Sequence, residues 1–329
     1  MENYDIKLSS TEIASLWSTY IFDSASICFF KHFLQHLKDE EVVSIVNEAL
    51  KLSQTNMNYI ENIFAKEQFP IPQGFSDGDV NLSAPALFDD LYALSFVYGM
   101  SRIGLFNYGI FTSNVARDDV LELFSQILVS TNGLYKTAVR CMLSKGIYDR
   151  PPKIPYPNKV EFVEKQSFLT GWFGERRPIN SLELTEIFFN IERNYFGVLL
   201  LYGLIQVVED KEVKEYLKRG KDLANKQIEY LNNLLKEEDL LGTVPVEMEV
   251  TDSKVSPFTE KLIMFLITSL NATSFTYFGH ALSVTMRRDL AANYSKLLTE
   301  VMAYSEDGVN IMIDRGWMEK PPGAIERKG

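Results

Sequence analysis

The sequence predicts an all-α protein, a tandem duplication of two four-helix bundles. Three observations carry that prediction: a repeat that keeps its register along the chain, apolar residues at helical spacing between capping motifs, and loop lengths that pair the helices.

The repeat comes first. LSSTEIASLW (8–17) aligns with INSLELTEIF (179–188), and DEEV (39–42) with DKEV (210–213), at an offset of 171 and without a gap. The offset then becomes 170, which places the one-residue difference in the loop near 68–87. Beyond it Phe88 matches Phe258, Gly109 matches Gly279, Arg117 matches Arg287, and Asp119 matches Asp289. Last, GIYDRPP from Gly146 aligns with GWMEKPP from Gly316. Identities are few, but a register held with a single slip is the signature of duplication.

Each copy reads as four helices, spanning about 9–37, 40–67, 85–111 and 117–145, then 181–208, 211–237, 257–284 and 287–315. Ser9-x-x-Glu12 opens the first as a capping box, and Asn180-x-x-Glu183 opens its counterpart in the second copy. Within 210–237 the residues Val213, Leu217, Ile228, Leu231 and Leu235 recur at helical spacing with charges between them. Ser256-Pro257 reads as an N-cap followed by proline at the first helical position. The two Gly…Pro-Pro stretches end the last helix of each copy: glycine supplies a left-handed turn and paired prolines forbid further helix.

Loop lengths select the topology. Very short turns join helices 1 and 2, and 3 and 4, of each copy, so these are antiparallel neighbours. A helix of about 28 residues is about 42 Å long. The 17-residue loop 68–84, which reaches about 56 Å when extended, is long enough to run the length of the bundle. Two hairpins joined by one long crossover between the second and third helices is the ferritin-like arrangement. The expected domains are 1–146 and 181–329, with 147–180 as linker.

Composition narrows the function classes. The 44 acidic and 33 basic residues leave a net charge of −11, which repels phosphate backbones and argues against nucleic acid. Cys28 and Cys141 form no disulfide framework and read as buried thiols of a reducing compartment. MENYDIKLSSTE lacks the pattern of a secretion signal. Residues 194–208 are too few to span a bilayer; 262–284 are enough, but they carry Asn271 and aligned residues 92–114 carry Arg102. Both longer stretches are therefore expected to be central helices buried on most sides, in a soluble protein that does not insert in membranes.

Catalytic signatures are missing. A di-metal bundle needs Glu-x-x-His pairs, but Phe29, Phe33 and Tyr277 stand three positions before His32, His36 and His280. His32 and His36, one turn apart, have a zinc- or copper-compatible spacing, although the aligned residues are Gly203 and Val207. Their expected role is a solvated helix end favourable to the dipole. His280 is expected to pack in the second core with one hydrogen bond. No G-x-S-x-G, phosphate loop or H-E-x-x-H is present, and no cofactor is expected. Arg102 with Asn107, and Asn271 with His280, are polar residues in apolar helices and candidates to line a pocket. In the linker, Phe168, Trp172 and Phe173 precede Arg176 and Arg177, an aromatic–arginine cluster suited to docking between the bundles or to holding a partner.

The chain resembles an uncharacterised two-repeat ferritin-like family of endospore-forming bacilli, similar to spore coat protein F. The stretches that carry the resemblance are LSSTEIASLW, KQSFLTGWFGERRPIN, VTDSKVSPFTEKLIMF, RRDLAANY and SEDGVNIMIDRGWMEKPP. It implies a two-bundle fold, a cytoplasmic or spore location and no established activity. The expected function is a non-enzymatic structural or interaction protein that self-associates or holds a protein partner. The alternative is a bundle that binds a small molecule or metal through non-standard ligands.

Overall fold

A computed structural model describes residues 6–172, 176–240, 242 and 249–324. Among the described residues eight α-helices run in the predicted order: α1 Ser10–Leu34, α2 Glu40–Lys66, α3 Asp90–Asn114, α4 Asp118–Ser144, α5 Ser181–Val207, α6 Lys211–Glu237, α7 Glu260–Val284 and α8 Arg288–Asp314. They fall into two four-helix units. The first unit runs through Ile147 and also takes Glu249–Ile263 and the segment from Arg315; the second holds Tyr148–Met248 and Met264–Asp314.

In the first unit α1 packs on α2 and α3 on α4, while α2 faces α4 and α1 faces α3. Phe29 and Phe33 of α1 close on Phe96 of α3, with ring centroids 5.2 and 5.3 Å apart. All four helices of the second unit contribute to a core cluster that includes Ile187, Leu231, Phe278 and Leu297. Tyr216 of α6 and Tyr304 of α8 are buried outside that cluster and stack at 4.3 Å, fitted against Gly308 and Gly220 respectively.

Glu12 and Glu183 do more than cap. Glu12 accepts from the Ser9 amide (2.7 Å) and also from the Ala116 and Arg117 amides (3.2 and 2.8 Å) at the start of α4. Glu183 does the same to Met286 and Arg287 (3.0 and 2.9 Å). Arg117 then bridges Glu67 and Asp119 (2.6 and 2.7 Å), and Arg287 bridges Glu238 and Asp289 (2.8 and 2.7 Å). One carboxylate therefore ties the start of the first helix of each repeat to the start of the fourth. This explains why Arg117 and Asp119 recur as Arg287 and Asp289. Burial pushes the Glu12 carboxyl up, but the Ser9, Arg117 and Ala116 hydrogen bonds outweigh it and hold the pKa at about 2.

Helix α1 ends three residues earlier than expected and α3 three later, and two helix starts are displaced. Helix α3 begins at Asp90 because the Asp89 carboxylate caps the Tyr92 amide at 2.7 Å. Helix α7 begins at Glu260, where the Thr259 hydroxyl accepts from Leu262 N (3.3 Å), so Ser256-Pro257 is not its cap. Residues 249–259 instead pair antiparallel with 79–89 in the first unit, through Val80 with Phe258 and Phe88 with Val250. Asn81 N donates to Pro257 O (2.8 Å) and Thr251 N to Leu87 O (3.0 Å), the same bond written once in each repeat.

Gly146 and Gly316 adopt φ of +71° and +65°, the left-handed helix exits predicted for them. Helices α1 and α7 are long and apolar enough to cross a membrane, with 67% and 33% of their apolar windows buried. The burial of α7 is thus less than predicted for a central helix: Ala272, Gly279, His280 and Ser283 are exposed.

Candidate functional site

The first unit holds a cavity of about 120 Å³, open to solvent on one side and bounded by all four of its helices. Helix α1 contributes Thr19, Phe22, Asp23 and Ser26, which share one face by their helical spacing. Asn56 and Ser53 of α2 come from the opposite side: Ser53 Oγ donates to Asp23 Oδ1 (2.9 Å) and Asn56 Nδ2 to Oδ2 (3.0 Å). Asp23 is only 4% exposed. Burial pushes its carboxyl up to about 7, although the Asn56 and Ser53 hydrogen bonds pull the other way. Among the described residues no lysine, arginine or histidine lines the cavity. Thr19 Oγ1 is buried without a hydrogen-bond partner.

The second unit treats the aligned positions differently. Asp23 becomes Asn194, Ser53 becomes Ala224, and Asn56 becomes Gln227. Phe22 becomes Arg193, whose guanidinium bonds Asn190 Oδ1 (2.7 Å) and Ser274 Oγ (2.5 Å) and lies 5.2 Å from the ring centroids of Tyr277 and Phe278. Those four partners align with Thr19, Gly104, Asn107 and Tyr108, all of which line the cavity of the first unit.

The sequence candidates are placed as follows. Asn107 lines the cavity, whereas Arg102 does not and reaches the Tyr98 hydroxyl at 3.5 Å. Asn271 donates to the Tyr216 hydroxyl (3.0 Å). His280 makes the one expected bond, to Glu186 at 3.0 Å, but its side chain is 52% exposed rather than packed in the core. His32 and His36 stand 5.1 Å apart, yet His32 is buried (1% exposed), not solvated, because Phe258 packs on it at 5.3 Å. That burial, with the neighbouring His36, lowers its pKa to about 4. Among the described residues no three His, Cys, Asp or Glu side chains converge as metal ligands. Cys28 and Cys141 are free and buried.

In the linker Phe173 lies outside the described residues. Arg177 stacks on Phe168 at 4.1 Å and bonds both oxygens of Glu183 (2.8 Å each), joining the tie at the start of α5. Arg176 pairs with Glu237 and Asp289 at 3.4 and 3.6 Å. Trp172 is exposed, and upstream Tyr156, Val160 and Phe162 are 93%, 85% and 88% exposed.

The family model described as protein of unknown function (DUF3231) matches residues 1–160 and again 167–329. The chain belongs to the DUF3231 family. Its two consecutive matches are the two copies of the repeat, and each copy supplies one set of four helices. No curated protein matches this DUF3231 chain. A solved structure from Bacillus halodurans C-125, described as a "putative spore coat protein", is similar at 15% identity over 46% of this chain and 98% of that one, with a TM-score of 0.42.

Sequence reasoning passed over Asp23 and the apolar residues of 154–163. Asp23 had a signal, being the lone charge between Glu12 and Lys31 in an otherwise apolar helix. Tyr156, Val160 and Phe162 had one too, as large apolar residues in a proline-rich stretch that belongs to no helix.

Proposed function

We propose that this DUF3231 protein is a non-enzymatic interaction protein that holds a protein partner, or a second copy of itself, through the segment joining its repeats. The observation that carries the reading is the exposure of Tyr156, Val160 and Phe162 in a stretch that belongs to no helix or strand. Side chains of this size left in water gain about 1.5–3 kcal/mol each when a partner buries them. Pro151, Pro152, Pro155 and Pro157 stiffen the approach to this stretch and reduce the entropy lost on docking. A cytoplasmic or spore location belongs to the same reading and is checked by fractionating sporulating cells.

The test compares the tagged parent with a Tyr156→Ser/Phe162→Ser variant, purified from their own cells and run in sedimentation velocity. Exposed substitutions of this kind change stability by about 0.5 kcal/mol or less, so lost binding does not report lost folding. A stoichiometric complex with the parent that the variant lacks supports the proposal. A monomer that returns alone in both cases, or a complex unaffected by the substitutions, overturns it.

A further inference from the structure

We propose that the cavity between the four helices of the first unit binds a small organic cation, a guanidinium or primary ammonium. The carboxylate of Asp23 is buried against neutral donors only, and each of its oxygens retains acceptor capacity beyond the single bond it receives. A buried carboxylate is costly unless a cation answers it, and among the described residues no side chain lining this cavity is cationic. Thr19 Oγ1, one helical turn from Asp23 and unpaired, is a further acceptor for a donor-rich ligand. Phe22 and Phe111 add aromatic rings to the wall, which suits a cation better than a neutral molecule of equal size.

The second repeat supplies an independent argument. At the aligned place it carries its own cation, the Arg193 guanidinium, held by residues that match four of the cavity's lining positions. One copy of the duplicated bundle fills this place with a tethered guanidinium; the other keeps the space and places a carboxylate beside it. Size agrees. A closed cavity of about 150 Å³ holds benzene, so the 120 Å³ here, open at its mouth, admits a group of about four to five non-hydrogen atoms, as in methylguanidinium or n-propylammonium.

Asp23 on α1 and Tyr108 on α3 are the titratable groups lining the cavity; α2 and α4 add none. Tyr108 is held well above its ordinary pKa by burial and then by the nearby Asp23 charge, so it stays neutral. Cation affinity should therefore follow the ionisation of Asp23.

The experiment is calorimetric titration of the full chain with methylguanidinium chloride at pH 8 and pH 5, with n-propanol as a neutral probe. The expected result is saturable one-site binding at pH 8, at least tenfold weaker at pH 5, and at least tenfold tighter than n-propanol. Asp23→Asn should weaken it at least tenfold. Phe22→Arg, which copies Arg193, should abolish it by supplying the cation internally. The wild-type comparison of charged and neutral probes holds even if a variant fails to fold. No saturation below 50 mM, equal affinity for n-propanol, or full binding by folded Asp23→Asn or Phe22→Arg would each overturn the proposal.

Discussion

Replacing Asp23 by asparagine should make the first unit more stable at alkaline pH and leave it slightly less stable in acid. The carboxyl titrates at about 7 in the folded chain against an ordinary value of 3.8. Between those values the folded state keeps a proton that the unfolded chain releases, so stability falls as pH rises from about 4 to about 7. At about 1.4 kcal/mol per pH unit, that difference corresponds to about 4 kcal/mol. The substitution removes this titration but turns one accepting oxygen into a donor, at a cost of about 1 kcal/mol. The variant is therefore expected to lose about 1 kcal/mol at pH 4 and gain about 3 kcal/mol at pH 8. The assay is urea unfolding at intervals between those limits, in a Trp172→Phe background, so that Trp17 and Trp317 both report the first unit. A difference between wild type and variant that stays constant from pH 4 to pH 8 would refute the reasoning. So would a variant that is relatively weaker at pH 8.

Three other substitutions probe the packing. Glu12→Gln should cost about 2–3 kcal/mol at pH 7, and the difference should vanish as pH falls from about 4.5 to about 2. That is the window over which a carboxyl held at about 2 loses its contribution; acid-range urea unfolding checks it. Gly308→Ala should cost about 1–3 kcal/mol, because its new methyl would overlap the Tyr216 hydroxyl and the stacked ring cannot swing away from Tyr304; the unfolding midpoint reads this. Gly74→Ala combines φ of +57° with a methyl placed 2.6 Å from Ser24 Oγ, which accepts from the Phe75 amide at 3.0 Å. A loss of about 1–3 kcal/mol is expected, with faster hydrogen exchange at Phe75.

The repeat and the eight helices were legible because register, caps and apolar spacing are local properties of the chain. Gly146 and Gly316 ended their helices as written, and the Ser9 and Asn180 capping boxes formed. Pairing between distant segments was not legible. Ser256-Pro257 has the residues of a helix start, but the ladder between 249–259 and 79–89 uses them first and moves the start of α7 to Glu260. The same ladder brings Phe258 onto His32, which is why a histidine beside lysines at a helix end is buried. The candidate site was half legible. Asn107 stood out as polar in an apolar helix, while Asp23 was passed over because a single acidic residue has no motif. Only the fold shows that Ser53 and Asn56 converge on it.

We propose that this protein meets its partner through the segment between the repeats. The most direct measurement is site-specific photo-crosslinking in its own cells, with the crosslinker at position 156 or, as a control on another exposed tyrosine, at position 59. The expected result is one discrete crosslinked species from position 156, either a second copy or a single other protein, absent from position 59 and abolished by Val160→Ser/Phe162→Ser. Equal labelling from both positions, or a species that survives the double substitution, would contradict it.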